Sequence, residues 1–157
     1  IDTDRRRRTG ETRMFADEIL DEKGRTVATI APEATVTEAA ATLAEHNIGA
    51  LVVSEDGETV VGIISERDIV RRLARDGAAA LDATVADLMK TEVASCHGRA
   101  DTEEMMSTMT AGRFRHLPVV DDGRLRGIIS IGDVVKVRIG ELATEREQLV
   151  DYIREGR

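Results

Sequence analysis

The chain has 157 residues, which suits one ordinary domain or two small units sharing a core, because a unit of about 60 residues buries too little surface to be robust alone. Hydrophobic residues make up 41%, yet there are only two Phe, one Tyr and no Trp, so the core has to be built from aliphatic side chains. A formal charge of −8 excludes a general affinity for nucleic acid or anionic membranes, and an anionic ligand must therefore be held by local positive groups.

The chain opens with Arg5, Arg6, Arg7 and Arg8, joined by Arg13, among Asp, Thr and Gly. This reads as a solvated arm in preference to a nucleic-acid or partner contact. Phe15, Ile19 and Leu20 then predict a short helix that stops at Gly24, and Val27 to Ile30 a weak strand. Thr35, with Glu38 three residues on, has the pattern of a capping box, and Ala39, Ala40 and Leu43 continue one helical face. The run Ile48 to Val53, the turn Glu55-Asp56-Gly57 and the run ending in Gly62-Ile63-Ile64-Ser65 predict a hairpin. Ser65-Glu66-Arg67-Asp68 then starts a helix marked by Ile69, Val70, Leu73 and Ala74.

After a link from Gly77 to Thr84 and a short helix near Val85 to Met89, the same order returns. Ala94 to Cys96 is the weak strand. Asp101 with Glu104 is the second cap, at an offset of 66 (101 − 35), followed by Met105, Met106 and Met109. Phe114 to Val120, the turn Asp121-Asp122-Gly123 and Gly127-Ile128-Ile129-Ser130 form the second hairpin, now at an offset of 65 (127 − 62). Asp133 opens a helix carrying Val134, Val135 and Ile139, which runs past Gly140 with a bend expected there, since Leu142, Leu149, Val150 and Ile153 prolong an apolar stripe. Such a stripe meets either a second chain or its own domain. The chain thus divides into an arm and helix (1–24), a first repeat (25–84), a second repeat (85–140) and a helical extension (141–157).

The fixed order of capped helix, strand, hairpin and Gly-hydrophobic-hydrophobic-Ser-x-x-Asp, present twice between about Val27 and Ile139, resembles a tandem pair of CBS (cystathionine β-synthase) domains, the arrangement called a Bateman module. The resemblance implies a mixed α/β fold of two β-α-β-β-α repeats packed sheet to sheet about a pseudo-twofold axis, with one cleft for each repeat. It further implies dimerisation, binding of an adenosine ligand (AMP first, with ADP, ATP, NAD or S-adenosylmethionine as alternatives), and a regulatory output passed to a partner protein. A ligand-independent dimerisation or scaffolding module is the alternative.

Within that resemblance, Asp68 and Asp133 are the ribose-binding carboxylates, with Ser65 and Ser130 beside them, although Ser-x-x-Asp serves equally as a helix cap. Alignment assigns Thr29, Ile30, Ala50 and Leu51 to one cleft, and Ser95, Cys96, His116 and Pro118 to the other. Arg67 in the first copy and Arg115 with His116 in the second are the candidate phosphate contacts, and the two arginines read equally as surface ion-pair formers. Gly132 stands opposite Arg67, and Gly49 and Ala50 opposite Arg115 and His116, so the clefts are expected to be unequal. The three His are scattered and Cys96 has no CxxC partner, so neither a metal site nor an enzyme is expected. A lone cysteine and the lack of any aliphatic run near about 18 residues point to a cytoplasmic protein.

Overall fold

The computed structural model describes residues 13–156, so Arg5 to Arg8 lie outside the described residues. The chain runs α1 (Ala16–Lys23), β1 (Thr29–Ile30), α2 (Val36–His46), β2 (Ala50–Val53), β3 (Gly62–Ser65), α3 (Glu66–Asp76), a 3-10 turn (Gly77–Asp82), α4 (Val85–Leu88), α5 (Thr102–Gly112), β4 (His116–Asp121), β5 (Arg124–Ser130) and α6 (Ile131–Glu155). It is a mixed α+β fold with two small sheets. In the first, β1 pairs in parallel with β2, and β2 pairs antiparallel with β3, placing Ala50 opposite Ser65. In the second, β4 and β5 pair antiparallel with His116 opposite Ser130, the same register one repeat later. The expected first strand of the second copy shrinks to one bridge, Cys96 to Val119.

The helix starts follow the sequence with one correction. Thr35 and Glu38 close the expected capping box: the Thr35 hydroxyl accepts the Glu38 amide at 3.1 Å and the Glu38 carboxylate accepts the Thr35 amide at 2.8 Å. Asp101 accepts the Glu104 amide at 2.9 Å, but Glu104 does not reach back. Two carboxylates at one cap repel, and Glu104 lies instead 3.5 Å from His97. Both central helices end on a left-handed residue, Asn47 (φ 51°) and Arg113 (φ 55°). The second hairpin turns on Asp122 and Gly123, both at positive φ, as a two-residue turn requires. α6 runs as one 25-residue helix through Gly140.

Each repeat has its own aliphatic core, and each core is finished by the helix that precedes the other repeat. Val36, Leu43, Leu51, Val53 and Ile64 pack with Val85, and Leu88 and Met89 lie against them. Met105, Met109, Leu117, Val119 and Ile129 pack with Ala16, Ile19 and Leu20. The exchange is symmetric in its hydrogen bonds. The Val85 and Ala86 amides donate to the carbonyls of Ala34 and Pro32, while Ala16 and Asp17 donate to Ala100 and Gly98, positions 66 residues further on. An added Cβ at Gly62 would lie 2.6 Å from Met89 Sδ, and one at Gly127 2.5 Å from Leu20, so both glycines are dictated by close approach. Burying Ile19 and Leu20 fastens α1 by about 3–6 kcal/mol.

A buried carboxylate adds a further tie in the second repeat. The buried Glu141 carboxylate accepts the Met14 amide at 2.7 Å, the Thr102 hydroxyl at 2.9 Å and Arg138 at 3.1 Å, binding the chain entering α1 to α5 and α6. The repeats meet along their hairpins, where the Leu125 amide donates to the Glu58 carbonyl at 2.7 Å and Arg124 stands 3.4 Å from Glu58.

Candidate functional site

Both Ser-x-x-Asp pairs are helix caps in the structure. The Ser65 amide and hydroxyl donate to Asp68 Oδ2 at 2.9 and 2.8 Å, and the Asp68 amide donates back to Ser65 Oγ at 3.3 Å. This uses one carboxylate oxygen. The other, Oδ1, has Lys90 Nζ at 3.6 Å, beyond a hydrogen bond, and the Asp68 side chain is 10% exposed. In the second copy the Ser130 amide donates to Asp133 Oδ2 at 2.8 Å and the Asp133 amide to Ser130 Oγ at 3.2 Å.

A cleft of about 110 Å³ opens in front of Asp68, and both repeats line it. The first contributes Gly49, Ala50, Ile63, Ser65, Glu66, Arg67 and Asp68, and Lys90 follows just after α4. The second contributes Arg113 to His116, the turn between α5 and β4. Alignment assigns Arg115 and His116 to the second cleft with Pro118, whereas the structure brings them across to face Ser65 and Asp68. The reason is geometric: the turn ahead of β4 reaches over the first repeat, so that His116 comes against Gly49 and Glu66. Four cations (Arg67, Lys90, Arg113 and Arg115) therefore stand against two carboxylates, Glu66 and Asp68.

Asp133 has a different setting. It lines a groove of about 450 Å³ between α1 and α6, with Ile19, Lys23, Val137 and Gly140, and its carboxylate receives the Lys23 ammonium. Burial opposes ionisation of Asp133, but the hydrogen bonds from Lys23 and from Ser130 prevail and hold its pKa below the usual carboxylate range. His116 lies between the two settings: it sits beside Gly49 and Glu66, and it also feels Lys23 and Asp133. Burial, then the Lys23 charge, lower its pKa, so the ring favours the neutral form.

The remaining residues named from alignment fall outside the cleft lining. Leu51 and Cys96 point into the two cores, and Ile30 is buried with Leu51. Pro118 is buried in β4, its carbonyl accepting the Cys96 amide at 3.0 Å. Thr29 is half-buried in β1 and Ser95 is exposed. Burial pushes the Cys96 thiol up to about 11, which makes it inert near neutrality. Lys23, Lys90 and Arg113 carry no motif that marks them in the sequence. Arg113 could have been found as the partner of Asn47 at the helix end, but the lysines had no such signal. Among the described residues no group of three or more His, Cys, Asp or Glu is placed to hold a metal ion, and no helix is long and apolar enough to cross a membrane.

The family model described as CBS domain matches the chain twice, at residues 21–75 and 85–140. The chain belongs to the CBS domain family. Its CBS pair is 37% identical over 126 residues to a mitochondrial CBS domain-containing protein, CBSX3, of Arabidopsis thaliana; the match covers 78% of this chain and 61% of that protein, so the chain spans about three-fifths of the relative's length. Among solved structures, the CBS-domain containing protein ATU1752 of Agrobacterium tumefaciens is 49% identical with a TM-score of 0.77, the match covering 82% of this chain and 96% of that one. A CBS domain protein of Pyrobaculum aerophilum, PAE2072, solved in complex with AMP, is 27% identical with a TM-score of 0.69, covering 76% and 89%. CBS pairs are regulatory modules, and the duplicated fold described above is that of such a pair.

Proposed function

We propose that this CBS pair senses an adenosine ligand (AMP, ADP, ATP, NAD or S-adenosylmethionine) in the cleft of Asp68, and signals by a change of conformation to a partner protein. The observation that carries the reading is the meeting, in one cleft, of a helix-capping carboxylate, whose Oδ1 has only the exposed Lys90 ammonium 3.6 Å away, and four cations drawn from both repeats. Asp68 Oδ1 accepts the ribose hydroxyls, while Arg67, Lys90, Arg113 and Arg115 attract phosphate. The base lies along Gly49, Ala50 and Ile63, where main-chain groups and short side chains offer a flat wall. The AMP complex of the Pyrobaculum relative supports this ligand class.

The cleft's volume supports a conformational signal. At about 110 Å³ it is smaller than the roughly 300–1,000 Å³ of small-molecule sites, so a nucleotide enters by parting the Arg113 to His116 turn from α3. α3 begins at the cleft and carries Val70, 62% exposed, on its outer face. Movement at the cleft thereby reaches a surface that a second copy or a regulated protein touches. In this reading the module is regulatory rather than catalytic, and its buried thiol suits a reducing compartment such as the cytoplasm.

Self-association is the second part of the reading. The face that α6 turns to its own domain is Val134, Val137, Glu141 and Thr144. The stripe Val135, Ile139, Leu142, Leu149 and Ile153 lies on the outer side and is 43–64% exposed. Its spacing of three, four and seven residues is that of a helix seam between two copies. A Leu142→Asp, Leu149→Asp variant is expected to sediment as a monomer.

The functional test is thermal unfolding with each of the five ligands. At a hundred times its dissociation constant one bound ligand adds about 2.7 kcal/mol, which raises the melting temperature by about 5–10 °C in a chain of this size. Asp68→Asn is expected to abolish the shift and Asp133→Asn to keep it. No shift with any ligand would overturn the reading.

A further inference from the structure

The two lysines that face the Ser-x-x-Asp carboxylates do unlike things. In the first repeat, Lys90 pairs with β3 through its backbone: its amide donates to the Ile63 carbonyl at 2.9 Å and its carbonyl accepts the Ile63 amide at 3.0 Å. Its side chain is left over, 52% exposed, with the ammonium 3.6 Å from Asp68. In the second repeat the matching carbonyl, Ile128, is met by a side chain instead. Lys23 Nζ donates to it at 3.0 Å and to Asp133 Oδ2 as well. The ammonium of Lys23 thus performs the task of the Lys90 backbone amide, and in doing so it enters the carboxylate site.

The rest of the second cleft lacks what would compete with that ammonium. By the 65- and 66-residue offsets, the counterparts of Arg67, Arg113 and Arg115 are Gly132, Asn47 and Gly49. Asn47 and Arg113 occupy the same left-handed helix end, so the correspondence is structural as well as sequential. A nucleotide there would have to displace or share the charged hydrogen bond of Lys23, and among the described residues that line the groove of Asp133 its phosphates would meet Lys136 but no arginine.

We infer that Lys23 is a built-in plug of the second cleft: resting on the function proposed above, the chain takes one nucleotide, at Asp68, and a second one only when Lys23 is removed or its end of α1 is lifted. Because Leu20 and Ile19 are buried and Met14 is tied to Glu141, the movement is confined to the last turn of α1.

Isothermal titration of the full chain with ATP reads the stoichiometry. One site per chain is expected for the wild type, two for Lys23→Met, and one again for Lys23→Met with Asp133→Asn. Two sites in the wild type, or one in Lys23→Met, would overturn the plug. Acylation of lysines followed by mass spectrometry gives an independent reading on the unmodified protein. Lys23 is expected to react at least several-fold more slowly than Lys90, and equal rates would overturn the proposal. Absence of ATP binding in every variant would sink the nucleotide reading itself, and the labelling rates would still decide whether the ammonium is held.

Discussion

The clefts of Asp68 and Asp133 share register, caps and packing, yet their carboxylates hold their lysines differently. Asp68 has the exposed Lys90 ammonium 3.6 Å from Oδ1, among cations from both repeats, whereas Asp133 receives Lys23 by a hydrogen bond on the same Oδ2 that takes the Ser130 amide. The difference arises at a single hydrogen-bonding task, the satisfaction of the Ile63 or Ile128 carbonyl, done by a backbone amide in one copy and by an ammonium in the other. A duplicated frame fixes where a site can be, and the chain that crosses between copies decides what the site holds.

The largest effect that would sharpen this comparison lies at Glu141. Position 76 is its counterpart at the offset of 65, and Asp76 there is a surface residue paired with Arg72 and Arg75. Glu141→Ala leaves the Met14 amide and the Thr102 hydroxyl without their acceptor and Arg138 with Glu145 alone, and is expected to cost about 3 kcal/mol in denaturant unfolding. Asp76→Ala is expected to stay within about 1 kcal/mol. Equal costs would break the claim that a buried carboxylate clasps the second repeat and not the first.

The glycines come next. Gly127→Ala drives a methyl into the flexible end of Leu20, while Gly62→Ala meets both Met89 and the Lys90 carbonyl, 3.0 Å away. Overpacking of this kind costs about 1–3 kcal/mol, with Gly62→Ala the more severe because a backbone atom cannot step aside. Melting temperatures of the two variants, compared with Gly140→Ala, which has open space around it, test the order.

The smallest effects are those of pH. The depressed pKa of Asp133 contributes stability that is present above the unfolded value near 4 and lost as pH falls through the folded one. Lys23→Met removes the cation that holds it there, so its acid-unfolding midpoint is expected to rise. Lys90→Met, with no hydrogen bond to lose, is the control. The depressed pKa of His116 has the same sign: below about 6.5 the unfolded chain takes a proton that the folded chain resists, and stability falls with pH. His116→Phe is expected to flatten the slope of melting temperature between pH 7.5 and 5.5.

Much of this was legible in the sequence, and for definite reasons. Thr35 with Glu38 and the two Ser-x-x-Asp pairs signal helix starts through local hydrogen bonds, which need no knowledge of the fold. The duplicated phrase carries the two sheets and their register with it. Contacts across the pseudo-twofold axis leave no such trace. Arg115 looks like a residue of its own repeat and serves the other. Lys23 and Lys90 are not aligned at all: setting α1 on α4 through Ala16 and Val85, an offset of 69, places Asp21 opposite Lys90. They converge in space because one arrives by backbone and the other by side chain. The absent capping box at Glu104 has a local cause, two carboxylates at one helix end, that a pattern match does not weigh.

The most direct test of the account is a crystal structure of the full chain grown with ATP. One nucleotide per chain is expected, its ribose hydroxyls on Asp68 Oδ1, its phosphates toward Arg113 and Arg115, and Lys23 still bonded to Asp133. A nucleotide held by Asp133 while the cleft of Asp68 stays empty would contradict it.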